Sequence, residues 1–202
     1  MWNKDELKQF QVLGANLQAT LGGFGSFTLI ASKFLLEEGI GSADETGMAH
    51  LEADRWYPLD AWVRVFDRIH AEFGNYTLRQ VGMHIPKNTK LPPQIKDIHT
   101  CMQFLDLSYH FNHGVNNVSM FNLETGEMKE GIGHYRYISH PQAPGGLQKI
   151  SIEVEAPYPC PFDEGLVTAA AQLFRPTATV LHDKASCRLR GGSKCTYHVS
   201  WK

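Results

Sequence analysis

An α+β domain is predicted from three observations. Apolar residues recur at three- and four-residue steps through most of residues 1–114. Beyond them the chain changes to short runs rich in β-branched and aromatic residues, bounded by Gly, Pro or Asn. One helical pattern, Phe162 to Phe174, interrupts those runs. The expectation is a single domain over 1–202, helical over about 1–114 and an antiparallel sheet with one inserted helix over about 115–202.

The first helical patterns are Asp5 to Leu21 and Ser26 to Glu38, with Gly22, Gly23 and Gly25 marking the turn between them, Ser26 an N-cap and Gly39 a stop. The apolar face of Asp5 to Leu21 would stay partly exposed in a monomer, so it is the expected homodimer surface. Residues 39–47 read as an exposed loop. Tyr57-Pro58 leads into an amphipathic helix, Leu59 to Phe73, closed by Gly74 and Asn75, and a short helix follows over Thr77 to His84. After Pro86, Pro92 and Pro93 comes the longest helical pattern, Gln94 to His113, with Ile95, Ile98, Met102, Leu105 and Tyr109 stepping down one face. Strands are expected at Val118–Leu123, Gly133–Ser139, Leu147–Glu155, Thr177–His182, Ser186–Leu189 and Lys194–Trp201. In the inserted helix, Asp163 and Glu164 stand at the positive end of the helix dipole.

With 19 Lys plus Arg against 21 Asp plus Glu and a formal net charge of -2, the chain offers no basic field for nucleic acid. The longest uncharged stretch, Val12 to Ser32, is broken by glycines and carries Asn16, Gln18 and Thr20, which suits neither a membrane span nor a signal peptide. Four cysteines are too few for a disulfide scaffold, so a cytoplasmic chain is expected. Serine-hydrolase, P-loop, zinc-protease and dinucleotide fingerprints are missing, which favours a binding protein over an enzyme.

The cysteines carry the most specific signal. With Gly191 at the centre of a three-residue hairpin loop, Cys187 faces Cys195 across the ladder, both sulfurs on one side. Opposed Cβ atoms roughly 4.5 to 5.5 Å apart suit two thiolates on one zinc better than a disulfide. A two-residue loop would put the sulfurs on opposite faces. Cys160, between Pro159 and Pro161 at a helix start, is a third candidate, and Asp183, His182 or water a fourth.

The ending with Cys187, Gly192, Cys195, Tyr197 and Trp201 resembles the C-terminal signature of the 4-vinyl-reductase-like domain, whose superfamily includes heme nitric-oxide-binding domains and vesicle-tethering TRAPP subunits. The resemblance is firm over roughly Pro157 to Trp201; upstream, only the order of elements matches. It implies a zinc held by an upstream Cys, a Glu three residues before a second Cys, and a third Cys eight residues beyond it. Cys160, Cys187 and Cys195 fit that spacing. Lys184 stands where the Glu would be, so the resemblance implies zinc only if Asp183 supplies the carboxylate. It also implies a sensor whose small apolar or aromatic ligand lies between the long helix and the sheet, with His99, Phe104, Tyr109, His134, Tyr135 and Tyr137 as candidate lining residues. No output-module motif is read in this sequence, so the signal is expected to pass to a homodimer partner or a downstream signalling protein, or the chain is the sensory piece of a longer protein.

Three alternatives stand beside the sensor. In a heme-based gas sensor, His99, His110 or His113 would supply the axial ligand. The heme relatives grip the propionates with a Tyr-x-Ser-x-Arg motif, whereas here Tyr135-Arg136-Tyr137-Ile138-Ser139-His140 breaks that order and has no Arg after the Ser. The remaining two are a reductase and an acyl-chain-binding scaffold subunit.

Overall fold

The computed structural model describes residues 2–142 and 144–202, with Lys4 and Pro144 described by backbone alone. The chain opens with α1 (Lys4–Leu7), a single turn capped by Asn3, and continues through β1 (Gln11–Leu13), α2 (Gly14–Gly22) and α3 (Thr28–Glu37). A short hairpin, β2 (Ser42–Ala43) with β3 (Ala49–His50), occupies the expected loop, and β4 (Trp56–Pro58) runs into α4 (Leu59–Asn88). Then come α5 (Ile98–Phe111), β5 (His113–Val115), β6 (Val118–Ser119), β7 (Tyr135–Ser139), β8 (Gln148–Val154), α6 (Cys160–Phe174), β9 (Thr179–His182) and β10 (Cys195–Trp201). The result is the expected α+β class. Among the described residues no single helix is long and apolar enough to cross a membrane.

The helix expected over Asp5 to Leu21 is broken into α1, β1 and α2. Val12 sits in a central strand between Tyr57 of β4 and His113 of β5, and these ladder bonds override the local helical period. Its apolar residues Leu7, Phe10, Val12, Leu17 and Leu21 are buried in the chain's own core, so they leave no exposed face for a dimer. Gly14 opens α2 because its Cα lies against the Glu52 carbonyl, where a Cβ would come within 1.9 Å of the oxygen.

Gly74 does interrupt the helix after Phe73, with φ 72°, but the helix restarts at once in a new direction and runs on through Pro86 to Asn88. The two expected helices are therefore both present, abutting at the non-helical Gly74, and the second runs beyond its expected end at His84. α5 starts later than its apolar pattern because Asp97 caps it: the Asp97 carboxylate accepts from Thr100 N–H at 2.8 Å, and the Thr100 hydroxyl accepts from Asp97 N–H at 3.2 Å.

The second sheet has the order β7-β8-β10-β9, all antiparallel. Ile150, Ile152 and Val154 of β8 pair with Val199, Tyr197 and Cys195 of β10, and all six are buried. This period-two face is covered by α5 and α6. The second half of α4 lies on α6 so closely that the backbones touch: a Cβ on Gly82 would stand 2.1 Å from the Phe162 carbonyl oxygen, and one on Gly165 2.1 Å from that of Arg79.

Candidate metal centre and ligand cavity

Cys160, His182, Cys187 and Cys195 converge between the start of α6 and the edge of the second sheet. All four are buried, and their donor atoms lie within 4.8 Å of one another. Cys160 Sγ is 3.2 Å from Cys195 Sγ and 3.9 Å from Cys187 Sγ. Strand parity explains who is present. Cys195 opens β10 on the helix-covered face, and Tyr197, two residues on, pairs with His182 at the end of β9. His182 therefore shares that face, its ring 4.7 Å from the Tyr197 ring. Asp183, the next residue, points the other way. Its carboxylate accepts the Ala185 N–H and lies 3.9 Å from His198 Nε2, so it stands outside the cluster.

Cys187 arrives differently from the hairpin expectation. Ser186–Leu189 forms no strand: Arg188–Arg190 is a 3-10 turn ended by Gly191 in the left-handed region, φ 87°. The N–H groups of Arg190 and Gly192 both donate to the Cys187 carbonyl, folding the loop back over Cys195. The Arg188 N–H points at Cys195 Sγ from 3.4 Å. Two cysteines do meet, through a knuckle-like turn in place of a cross-strand pair.

The electrostatics suit a cation. The hydrogen bond from Cys160 and those from the Arg188 guanidinium and N–H hold Cys195 far below the usual thiol range, while the same Cys195 contact and burial push Cys160 up. His182 Nε2 is buried with no hydrogen-bond partner, a lone nitrogen donor beside three thiols. Cys160 Sγ, His182 Nε2, Cys187 Sγ and Cys195 Sγ form the set that zinc takes in closed structural sites. An open cleft of about 320 Å³ bordered by Cys160, His182 and Cys187 gives an entry path.

Behind the cluster lies a buried ion pair. Arg188 donates to both Cys195 Sγ and the Asp163 carboxylate, and Asp163 Oδ1 accepts from the Tyr135 hydroxyl at 2.5 Å. Burial pushes the Asp163 carboxyl up to about 7, with the Arg188 charge and the Tyr135 hydroxyl pulling the other way.

Tyr135 also lines a cavity of about 70 Å³ with Leu105, Tyr109, His113, Tyr158 and Phe162. Tyr109 donates to the Ile132 carbonyl at 2.8 Å. His113 is committed at both nitrogens, Nδ1 to the Tyr109 carbonyl and Nε2 to the Tyr158 hydroxyl, each at 2.6 Å. Its burial pulls its pKa down to about 4. Of the six candidate lining residues, the structure brings Tyr109 and Tyr135 to this cavity. His99 and Tyr137 bond each other at 2.7 Å beside Trp201, Phe104 is half-buried elsewhere on α5, and His134 lies toward an open surface cleft. Tyr158 and Asp163 carry no ligand-site signal in the sequence beyond the place of Asp163 in the first turn of a helix beginning at Cys160, and His113 stands there only as a candidate heme ligand.

The chain matches no family model and no curated protein. Its structure is similar to an H-NOX protein from S. oneidensis in the Fe(II)NO ligation state, at TM-score 0.61 and 12% identity over 94% of this chain and 99% of that one. A structure described as giving insight into the mechanism of H-NOX activation aligns at TM-score 0.62 and 12% identity, over 94% and 96% of the two chains. One concerned with modulating heme redox potential through porphyrin distortion aligns at 0.58 and 15%, over 94% and 99%. At such identities what is shared is the architecture, and the chain has an H-NOX-like fold.

Proposed function

We propose that this chain is a small-ligand sensor domain of the 4-vinyl-reductase-like kind, with a ligand cavity between α5, α6 and β7 and a structural zinc clamp beside it. The cavity carries the reading: a concave space with aromatic and aliphatic walls, into which Tyr109, His113, Tyr135 and Tyr158, with Asn16, Ser108 and Asn112, bring polar groups that would orient a small guest. Cys160, His182, Cys187 and Cys195 would hold the zinc, with His182 taking the place that the resemblance gives to a carboxylate. Four protein ligands leave no open position, so the metal would supply cross-linking of β9, β10, the 187–192 turn and α6, and no reaction chemistry. Three thiolates on a divalent ion leave one negative charge, which the buried Arg188 guanidinium offsets. The output would pass to a partner protein or a second copy of the chain.

Heme is the second reading, and the fold favours it over a zinc-centred one, because the similar structures are described by Fe(II)NO ligation and heme redox potential. The side chains of this chain do not fit a porphyrin. A cavity of about 70 Å³ has room for a guest of only a few atoms and none for a porphyrin. Of the three candidate axial histidines, His113 has both nitrogens bonded within the protein, His99 bonds Tyr137, and His110, whose Nε2 is free, does not line this cavity.

Native mass spectrometry, elemental analysis and an absorption spectrum of the untreated protein test both readings. One zinc per chain, no Soret band, and no saturable uptake of added hemin are expected. A Soret band or stoichiometric hemin binding would replace the small-ligand reading with the heme sensor, and a zinc-free protein of unchanged stability would remove the clamp.

A further inference from the structure

Among the described residues, two buried side-chain polar atoms lack a hydrogen-bond partner, and both are imidazole nitrogens. One is His182 Nε2 in the cysteine cluster. The other is His110 Nε2, on a residue that is also a member of a separate convergence of Asp106, His110 and His134, each of which brings one donor atom within 4.8 Å of the others. Asp106 and His110 are one helical turn apart on α5, and His134 comes in just before β7. His134 Nδ1 is 3.0 Å from Asp106 Oδ2 and its Nε2 is 2.8 Å from Glu130 Oε2, while the His110 and His134 rings lie 4.8 Å apart, tilted by 40°.

Asp106 Oδ1 is held by the Tyr135 N–H at 2.8 Å, which fixes the carboxylate's orientation. His110 Nδ1 lies 2.8 Å from the Asp106 carbonyl oxygen and can only donate there, so the proton of a neutral ring sits on Nδ1. Nε2 then carries a bare lone pair in the protein interior, on a residue that is 0% exposed. Leaving such an acceptor unmatched costs on the order of 1–3 kcal/mol. Asp106, His110 and His134 together supply the two-histidine, one-carboxylate donor set that first-row divalent ions take with open positions remaining. The His134–Asp106 spacing equals that of adjacent ligands on one octahedral ion with bonds of about 2.1 Å. An ordinary ion pair has the same spacing, so it is the unpaired His110 nitrogen that points to a missing partner.

We propose that Asp106, His110 and His134 form a second metal site, separate from the cysteine cluster, that binds a divalent first-row transition ion through nitrogen and oxygen. The ion replaces the proton shared by Asp106 and His134. Glu130, 77% exposed at its side chain, keeps the other His134 N–H as an outer partner and orients the ring. A cleft of about 430 Å³ lined by Glu130, His134 and Arg136 opens onto the site from solvent.

Mn²⁺ is a suitable probe because it prefers nitrogen and oxygen donors and avoids thiolates. Titration of the zinc-loaded protein, followed by loss of the free Mn²⁺ electron paramagnetic resonance signal, is expected to show one saturable site per chain. His134→Gln should weaken it at least tenfold, and Glu130→Gln should weaken it by less. Because His134 is buried and its variant can lose the fold, substoichiometric Mn²⁺ is also followed by NMR of the wild-type protein, where the His110 and His134 imidazole signals should broaden before any others. No Mn²⁺ uptake, undiminished uptake by folded His134→Gln, or broadening centred elsewhere would overturn the site. Failure of zinc or ligand binding at the other two places leaves this result unaffected.

Discussion

Gly82→Ala sets two opposed expectations against each other. On helix propensity alone, an alanine inside α4 stabilises by about 1 kcal/mol. The structure reverses the sign. A Cβ at this position would stand 2.1 Å from the Phe162 carbonyl oxygen and 2.9 Å from the Leu166 nitrogen, where ordinary contact begins at 3.4 Å. Both obstacles are backbone of α6, so no rotamer change relieves them and α6 must withdraw by about 1 Å. Overpacking of this kind costs about 1–3 kcal/mol, and a backbone-on-backbone clash belongs at the upper end, for a net loss of about 2 kcal/mol after the propensity gain. Phe162 lies two residues beyond Cys160, so the shift is delivered to one sulfur of the cluster while His182 and Cys195 stay with the sheet. Metal coordination tolerates only about 0.2 Å. Urea denaturation with and without chelator, together with zinc competition against a chromophoric chelator, reads both effects: stability down by about 2 kcal/mol and zinc affinity down at least tenfold. Gly165→Ala, with its Cβ 2.1 Å from the Arg79 carbonyl oxygen, should do the same, and the double variant should fall short of additivity because both changes part the same two helices. A Gly82→Ala protein at least as stable as wild type, with unchanged zinc affinity, would refute the argument.

Cys187→Ser should abolish stoichiometric zinc and lower the melting temperature, read by elemental analysis and calorimetry; a variant retaining both would count against the clamp. His113 is neutral when folded, with its pKa pulled from 6.5 to about 4, so below about pH 6.5 the unfolded chain takes up a proton that the native chain refuses. Wild-type stability should therefore fall relative to His113→Gln as pH drops from 6.5 to 4, by up to about 3 kcal/mol in paired urea titrations. Asp163 acts in the opposite direction but is present in both proteins and cancels in the difference. Tyr135→Phe removes a donor from a buried carboxylate and should cost about 1–3 kcal/mol in the same assay.

The second sheet was legible because it is covered on one face, which writes period two into Ile150, Ile152 and Val154 and into Tyr197, Val199 and Trp201. β1, β4 and β5 were not, since three residues are too few to establish a period and the spacing of Leu7, Phe10, Leu17 and Leu21 happens to satisfy a helix. Cys160, Cys187 and Cys195 were legible as chemistry, whereas the fourth member turned on parity: once Val180 and Tyr197 are placed on the covered face, His182 follows and Asp183 drops out. The Asp106–His110–His134 group left only the one-turn spacing of its first two members as a trace. His134 joins it through a contact that spans 28 residues and depends on β7 lying against α5.

Cavity and cluster are joined by an unbroken polar line. The Tyr135 ring forms cavity wall, its hydroxyl donates to Asp163, Asp163 pairs with Arg188, and Arg188 donates to Cys195 Sγ. None of these side chains has water as a ready substitute, since Tyr135, Asp163, Arg188 and Cys195 are all buried. A guest that took the Tyr135 hydroxyl for itself would leave Asp163 with Arg188 alone, and a carboxyl already pushed up to about 7 would take a proton more readily still. Arg188 would then have one fewer anion to share between, and its charge would fall more heavily on the thiolates. On the proposed sensor reading, the ionisation of Asp163 is the local change that such a guest would make, and the hydrogen bonds from Arg188 to Cys195 are where it would be felt first.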